Sequence, residues 1–268
     1  MEPTRYYIPT RGRVGKQETV KNLPRGLHPL VTIVCPQEEV GEHRRDWPEV
    51  QVVAQPSTIQ TIGTKREWIL RDLADSVEFA WMLDDDLKFK VCVDGRFLSS
   101  AKYPDEFAQA MMTNLPALWA PDGGDYGVVG IGTSYFAPKG GIKENYHLGF
   151  AFGFCREVRN KLKLGRLDVF EDIDYTLQCL RAGYTIAVTY DVTVDQVSAS
   201  VSDDPADGGV AGERTLQTIR ENLDRLIGYH PGIVSEKPRR PGAHPAAITK
   251  VLWQRAAKEG RMLSKEEP

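Results

Sequence analysis

Three mostly apolar runs, each about the length of a strand, limit what this chain can fold into: "LVTIVCP" (30–36), "VQVVAQP" (50–56) and "EFAWMLDDD" (78–86). Near-continuous apolar runs of this length suit strands covered on both faces. A fourth run, "RYYIPT", reads as a first strand that is broken by Pro9 and opens into the polar loop "TRGRVGKQ". Helical stretches lie between the runs. "QETVKNL" has helix-forming composition, and "IGTKREWILRDLADS" (62–76) places Trp68, Ile69 and Leu73 at helical spacing. Alternation of this kind predicts an α/β fold with a mainly parallel central sheet flanked by helices.

The second half is patterned differently. "PDEFAQAMMTNLPALW" (104–119) predicts a helix begun by Pro104, and the glycine-rich 121–147 predicts strands and long loops. "LGFAFGFCREVRNKL" runs from strand into helix. In "EDIDYTLQCLRAGY" (171–184), Ile173, Leu177 and Leu180 share a helix face, with Gly183 as a stop signal. "TIAVTYDVTVDQ" (185–196) is a strand pair or one long strand. "DDPADGG" (203–209) is a turn or mobile loop, followed by a helix over 213–227. "SEKPRRPGAHP" reads as an extended linker and "AAITKVLWQRAAKEGRML" as a basic amphipathic helix.

At 268 residues the chain suits one large domain or two small ones. The net charge of −3 carries no global basic signature for nucleic acid, although net charge does not report local patches. Cys35, Cys92, Cys155 and Cys179 are scattered through apolar runs without a CxxC pair. They read as buried free thiols of a reducing compartment, not as a zinc site. No apolar stretch reaches the ~18–20 residues of a membrane span, and "MEPTRYYIPTRGR" lacks the apolar core of a signal peptide. A soluble, intracellular protein is expected.

Asp84, Asp85 and Asp86 follow the apolar "FAWML". Burying an unpaired carboxylate costs several kcal/mol, so three of them at the rim of a core call for positive charge. In open parallel sheets ligands bind beyond the carboxyl ends of the strands. Thr10–Arg13 and Asp84–Asp86 both lie at such ends and are candidates for one crevice. Mg²⁺ and Mn²⁺ prefer carboxylate oxygens, and Mg²⁺ typically binds one or two carboxylates plus substrate phosphates. An acidic turn or capping cluster is the plain alternative. A second cluster, Glu171 and Asp172, follows the apolar pair Val169–Phe170 and opens a helix. The helix dipole alone favours carboxylates there; the functional alternative makes one of them a general base near a substrate hydroxyl.

Together these segments resemble the GT-A glycosyltransferases. "LDDD" resembles their acidic DxD after an apolar strand, and "FEDIDYTLQCLRAGY" their "ED.D...R...AGY" helix. "LGFAFGFCREV" resembles the strand and helix start before it, "IPTRGR" the loop that receives the nucleotide, and "GTKREWIL" the helix whose basic residues approach the donor. The resemblance covers residues about 5–197. It implies a GT-A-like, Rossmann-like fold: a glycosyltransferase domain over 1–235, with a nucleotide-sugar half (1–95) and an acceptor half (96–235), then a linker and basic helix (236–268). It implies a metal-dependent inverting glycosyltransferase using a nucleotide-sugar, a UDP-sugar by family habit, with Mn²⁺ or Mg²⁺. Asp84 and Asp86 would bind the metal, Asp86 most directly, and Asp85 the ribose or the metal. Asp172 would be the base, with Glu171 supporting it or binding the acceptor. Thr10, Arg11 and Arg13 would hold the nucleotide base and phosphates, and Lys65 and Arg66 would face the donor. Where many GT-A enzymes place a histidine as third metal ligand, this chain has "VTVDQVS", which offers Asp195 and, more weakly, Gln196.

The "IPTRGR" opening and compact size resemble the TET-associated glycosyltransferases of bacteriophages, which decorate 5-hydroxymethylated pyrimidines in phage DNA. This implies 5-hydroxymethylcytosine in double-stranded DNA as acceptor, no membrane partner, and the host cytoplasm as location. DNA phosphates would meet Arg239, Arg240, Lys250, Arg255, Lys258 and Arg261, or Lys139 and Lys143. Trp119, Tyr126, Tyr135, Phe136 and Tyr146 are candidates for stacking on the base, with core packing as the plain alternative. Two other readings stand beside it: a GT-A enzyme acting on a glycan, lipid or protein, and a nucleotidyltransferase or nucleotide-sugar binding protein. The second fits less well, because "IPTRGRVGKQ" has only Gly12 and Gly15 where a glycine-rich loop would be expected.

Overall fold

The apolar runs of the first half become four adjacent parallel strands. The computed structural model describes residues 2–119, 126–136, 139–197, 215–239 and 248–263. Strand β1 (Glu2–Pro9) is followed by α1 (Glu18–Asn22), β2 (Val31–Cys35), α2 (Val40–Asp46), β3 (Gln51–Ala54), α3 (Ile62–Trp68) and β4 (Val77–Leu83). β2 pairs in parallel with β1 and β3, and β4 in parallel with β1. Every residue of β2 is buried, as a strand covered on both faces requires. α3 is capped by Thr61, whose hydroxyl accepts from Thr64 N, and it runs into a wide π-type turn over Ile69–Leu73.

Asp84–Asp86 form the turn from β4 into β5 (Leu87–Val93), and β6 (Arg96–Ser99) returns antiparallel along β5. No strand is expected over 87–99 from the apolar runs. The signal is the alternation of Lys88 and Lys90 with Phe89 and Val91, closed by Asp94–Gly95, both at positive φ, the usual chemistry of a tight hairpin. The helix expected over 104–119 is interrupted. α4 (Pro104–Gln109) widens into a π-type turn over Ala110–Asn114, and a single 3₁₀ turn begins at Pro116, which cannot continue the helical ladder.

Then follow β7 (Val128–Thr133), β8 (Ile142–Glu144), β9 (Ala151–Cys155), α5 (Arg156–Lys161), α6 (Glu171–Arg181) and β10 (Ile186–Gln196), which is one long strand. The sheet order is β3-β2-β1-β4-β9-β7-β10-β5-β6, with β8 also on β10. β9 runs against β4 and β7, while β10 is parallel to β7. β1–β4, β7 and β10 therefore share one direction, and the fold is the α/β, mainly parallel sheet expected. Alternate residues feed two cores, one on each face. Tyr7, Met82, Phe152 and Phe154 pack toward α6, and Ile8, Trp81, Val129 and Ile131 toward Phe107 and Trp119.

α7 (Leu216–Tyr229) precedes β11 (Val234–Glu236), which pairs antiparallel with β12 (Thr249–Val251); α8 (Trp253–Leu263) ends the described chain. The expected linker thus begins as a strand, and the expected helix starts at Trp253 because 249–251 is drawn into that pairing. α8 buries Ala256, Ala257 and Gly260. Its approach to α6 is close enough that a Cβ on Gly260 would collide with Leu180 O. All four cysteines are free thiols: Cys35, Cys155 and Cys179 are buried, Cys92 half-buried. Among the described residues no helix is long and apolar enough to cross a membrane. The 203–209 loop and Arg240 lie outside the described residues, as does the side chain of Phe136.

Candidate active site

Because β1 and β4 are parallel neighbours, their carboxyl ends bring the Thr10 loop against the acidic turn. Thr10 Oγ1 donates to Asp85 Oδ2 at 2.6 Å and accepts from Gln17 Nε2 at 2.7 Å. Arg13 Nε lies 3.7 Å from Asp85 Oδ1. Lys65 Nζ donates to the Thr10 carbonyl at 2.8 Å. Thr19, on α1, braces the turn from below: its hydroxyl donates to Asp84 O and accepts from Leu87 N, and its amide donates to Asp85 O. Arg11 extends the other way, with NH1 donating to Gln60 O at 3.3 Å.

Arg66 joins the two acidic clusters. Its NH2 donates to Asp84 Oδ1 and its NH1 to Glu171 Oε1, both at 2.5 Å, and its guanidinium lies 5.6 Å from the Phe152 ring centre. Two local features permit this. Gly63 lets α3 press against the loop before α6, where a Cβ would collide with Leu167 O. Phe170 adopts φ +68°, turning the chain into α6 so that Glu171 faces inward. A bulky residue at positive φ is strained, and the burial of Val169 and Phe170 holds it there.

Electrostatics follow from this packing. Burial pushes Asp84 up to about 7, with Asp86, Asp85 and Glu171 adding to the effect and Arg66 opposing it. Burial also raises Asp85, against Thr10 and Arg13. Burial opposes the charge on Arg66, yet Glu171 and Asp84 overcome it and keep the guanidinium protonated. Lys65 is lowered to about 8, first by burial and then by Arg11. Lys65 and Arg66, expected to face a donor, are both buried and engaged inside the protein.

Asp172 turns toward a residue that sequence reasoning missed. Its Oδ2 lies 2.8 Å from His147 Nε2, and its Oδ1 accepts from Ile173 N at 2.8 Å. Burial opposes ionisation of Asp172, but His147 outweighs it and holds the carboxyl at about 2. His147 also stacks on Trp253 of α8, with ring centres 5.6 Å apart and planes at 25°. The one sequence signal for it was a histidine in "KENYHLGF", between the positive-φ residues Asn145 and Gly149. Asp174 points elsewhere. Fully buried, it accepts from Arg166 Nε at 2.7 Å and NH2 at 2.5 Å, and from Gln178 Nε2 at 2.9 Å, and it lies 2.7 Å from His230 Nε2.

Asp195 lies near the end of β10, but accepts from Lys90 Nζ at 2.7 Å and from Ser134 Oγ at 2.6 Å. Just beyond it, Val197 N donates to Asp86 O at 2.7 Å, tying that strand to the acidic turn. Among the described residues, no group of three or more His, Cys, Asp or Glu side chains is arranged to hold a metal ion. The donor set of the turn, Asp84 and Asp86, still suits a hard divalent cation that keeps other oxygen ligands. Trp119 is buried and stacks on Phe79 at 4.4 Å, so it is a core residue and not an acceptor platform. Tyr126 OH donates to Glu144, Tyr135 is exposed, and Tyr146 lies under Lys143 Nζ at 3.5 Å. Lys139, Lys143, Arg239, Lys250, Arg255, Lys258 and Arg261 are exposed.

The family model of the TET-associated glycosyltransferases matches residues 4–204, from β1 through β10. The chain belongs to this family. As a TET-associated glycosyltransferase it carries the Thr10 loop, the acidic turn, Arg66, His147 and the Glu171–Asp172 pair inside the matched region, with α7 and α8 beyond it. Among solved structures it is similar to TarS 1–349 of S. aureus, at 13% identity and a TM-score of 0.45, over 98% of this chain and 72% of that one. It is also similar to a protein assigned as a nucleotide-diphospho-sugar transferase from Desulfovibrio desulfuricans G20, at 14% identity and a TM-score of 0.40, over 86% and 99%. A third likeness is to the inositol-1-phosphate CTP transferase of T. maritima, at 11% identity and a TM-score of 0.41, over 84% and 96%. No curated protein sequence matches the chain.

Proposed function

We propose that this glycosyltransferase moves a sugar from a UDP-sugar to the hydroxyl of 5-hydroxymethylcytosine in double-stranded DNA, with inversion at the anomeric carbon. The observation that carries this reading is Arg66. One buried guanidinium sets the acidic turn and the Glu171–Asp172 pair in fixed relation, as a reaction between a phosphate-bound donor and a deprotonated acceptor requires. Family membership supports the transferase chemistry.

In this reading Thr10 and Asp85 receive the nucleoside, and Arg11 and Arg13 give the diphosphate charge-assisted hydrogen bonds. Lys65 and Arg66 hold the loop and the carboxylates in shape. Asp84 and Asp86 would hold Mn²⁺ or Mg²⁺, which when bound neutralises charge developing on the leaving diphosphate. Asp195 would join them only by giving up Lys90 and Ser134. Asp172 belongs to the general-base end of the site, on the far side of the sugar, and Glu171 fixes its position through Arg66. Exposed cations on 139–143 and around β12 and α8 would meet DNA phosphates. The hydroxymethyl group projects into the major groove, where it is reached directly or by extruding the base. On this reading residues 1–235 form the catalytic domain, with 236–268 appended to it.

The test is mass spectrometry of hydroxymethylated and plain duplex DNA after incubation with a panel of nucleotide sugars and Mn²⁺. A gain of sugar mass on the hydroxymethylated duplex alone is expected. Unchanged DNA together with sugar on a glycan, lipid or protein acceptor would overturn the DNA reading. Release of pyrophosphate in place of nucleoside diphosphate would overturn the transferase chemistry.

A further inference from the structure

Asp172 has little capacity left to accept a proton. Oδ2 is taken by His147 Nε2 at 2.8 Å and Oδ1 by the backbone amide of Ile173 at 2.8 Å. A carboxylate with both oxygens engaged is stabilised as the anion and is a weak base. Because it is an anion, it fixes the proton on His147 Nε2. That leaves Nδ1 of a neutral His147 with a lone pair, and Nδ1 has no hydrogen-bond partner among the described residues. The imidazole is held on a second side by stacking on Trp253. The same end of α8 grips the loop bearing His147, since Gln254 Nε2 donates to the carbonyls of Glu144 and Asn145 at 3.4 Å.

We propose that His147 Nδ1 receives the acceptor proton, that Asp172 orients the imidazole, and that Trp253, beyond the region matched by the family, is a positioning residue for it. The inference rests on the transferase reading and names the atom that does the base work. The acceptor O–H bond breaks, its proton goes to His147 Nδ1, and its oxygen bonds to the anomeric carbon. The bond from that carbon to the diphosphate oxygen breaks, and its electron pair leaves with the nucleoside diphosphate. His147 then returns the proton to water.

The charges acting on His147 are Asp172 and, behind it, Glu171, both on α6; Trp253 on α8 is neutral. Burial opposes protonation of the ring, and the two carboxylates raise its pKa above the ordinary histidine value. A neutral ring with that shift accepts a proton more readily than a carboxylate held as the anion by His147 and the Ile173 amide.

Two measurements test this. The first needs no substrate: nitrogen-edited NMR of the imidazole in the full chain. On the basic side of its titration a ring protonated at Nε2 is expected, with a titration that moves to lower pH in Asp172→Asn and a ring environment that changes in Trp253→Ala but is restored in Trp253→Phe. A ring protonated at Nδ1, or a titration unmoved by Asp172→Asn, would overturn the dyad. The second uses UDP-glucose and hydroxymethylated duplex DNA. His147→Gln and Asp172→Asn should each lose about 10²–10⁴-fold in turnover with donor binding kept, and the double variant should be little worse than either, because the pair acts as a unit. Near-normal turnover in His147→Gln beside a crippled Asp172→Asn would return the base to the carboxylate. Wild-type enzyme that binds the donor yet glycosylates no duplex would instead count against the DNA reading, leaving the NMR result to judge the dyad.

Discussion

Arg66 and Glu171 stand 105 residues apart in the chain and share a 2.5 Å hydrogen bond in which both side chains are almost wholly buried. The guanidinium's other nitrogen binds Asp84. Removing one partner of a buried pair leaves uncompensated charge and costs about 3–5 kcal/mol. Arg66→Ala should therefore lower the urea midpoint by that order of stability. Arg66→Lys should recover only part of the loss, since an ammonium cannot fork between two carboxylates. An Arg66→Ala protein of wild-type stability would show that the two clusters are held by something else.

The acidic turn makes a prediction with a definite sign. Asp84 is raised from 3.8 to about 7 in the folded chain, mainly by burial. Between those values the native state holds a proton that the unfolded chain releases, so stability falls as pH rises through this window. Asp84→Asn removes the effect. Relative to wild type, the variant should gain stability progressively from about pH 4 to pH 7 and level off above it. Thermal unfolding scanned over pH checks this, and a difference independent of pH would mean that the carboxyl is already ionised at pH 4.

Asp172 and Asp174, two residues apart, should separate function from folding. Asp172 faces His147 at the rim, so Asp172→Asn should keep the fold and lose turnover by about 10²–10⁴-fold. Asp174 is fully buried between Arg166, Gln178 and His230. Asp174→Asn should instead destabilise by about 3–5 kcal/mol while soluble protein retains turnover. Burial works against ionisation of Asp174, but Arg166 and His230 hold its carboxyl below the usual value. The stability it contributes is therefore present above the unfolded value and lost as pH falls through the folded one. The stability gap between wild type and variant, measured by urea titration, should narrow from pH 7 toward pH 3. Loss of turnover in Asp174→Asn with stability intact would reverse the two assignments.

How much of this was legible in the sequence depended on how local each signal was. β2 was legible because a strand buried on both faces reads as a uniform apolar run, β1, β3 and β4 because they are apolar enough to read the same way, and the meeting of Thr10 with Asp85 followed from placing both at strand ends. The β5–β6 hairpin is written in a period-two pattern closed by Asp94–Gly95, a fainter signal than the apolar runs because two lysines interrupt its apolar residues. Arg66 could be read as a basic residue on a helix, but the direction of its side chain depended on Gly63 allowing close approach to Leu167. His147 and Trp253 were not legible as site residues. They meet only because α8 docks on α6 through Ala256, Ala257 and Gly260, a long-range contact that no local spacing encodes.

The last prediction concerns the exposed cations around α8. Each phosphate neutralised by a lysine or arginine releases counterions, so log affinity for duplex DNA falls with log salt at a slope of about −0.9 per contact. Arg239, Lys250 and Lys258 are exposed, whereas Arg255 already pairs with Glu259 at 2.8 Å and should contribute less. Replacing Arg239, Lys250 and Lys258 together by alanine should make the slope shallower by up to about 3, and Arg255→Ala alone should change it by less than one contact. Transfer to a free 5-hydroxymethylated nucleoside should respond to neither change, because it has no phosphates to bind. Binding and turnover measured across a salt series, with duplex and nucleoside side by side, separate the two contributions. If the triple replacement left the duplex slope as steep as before, the DNA would have to lie on another face, and Lys139 and Lys143 beside the His147 loop would be the next positions to change.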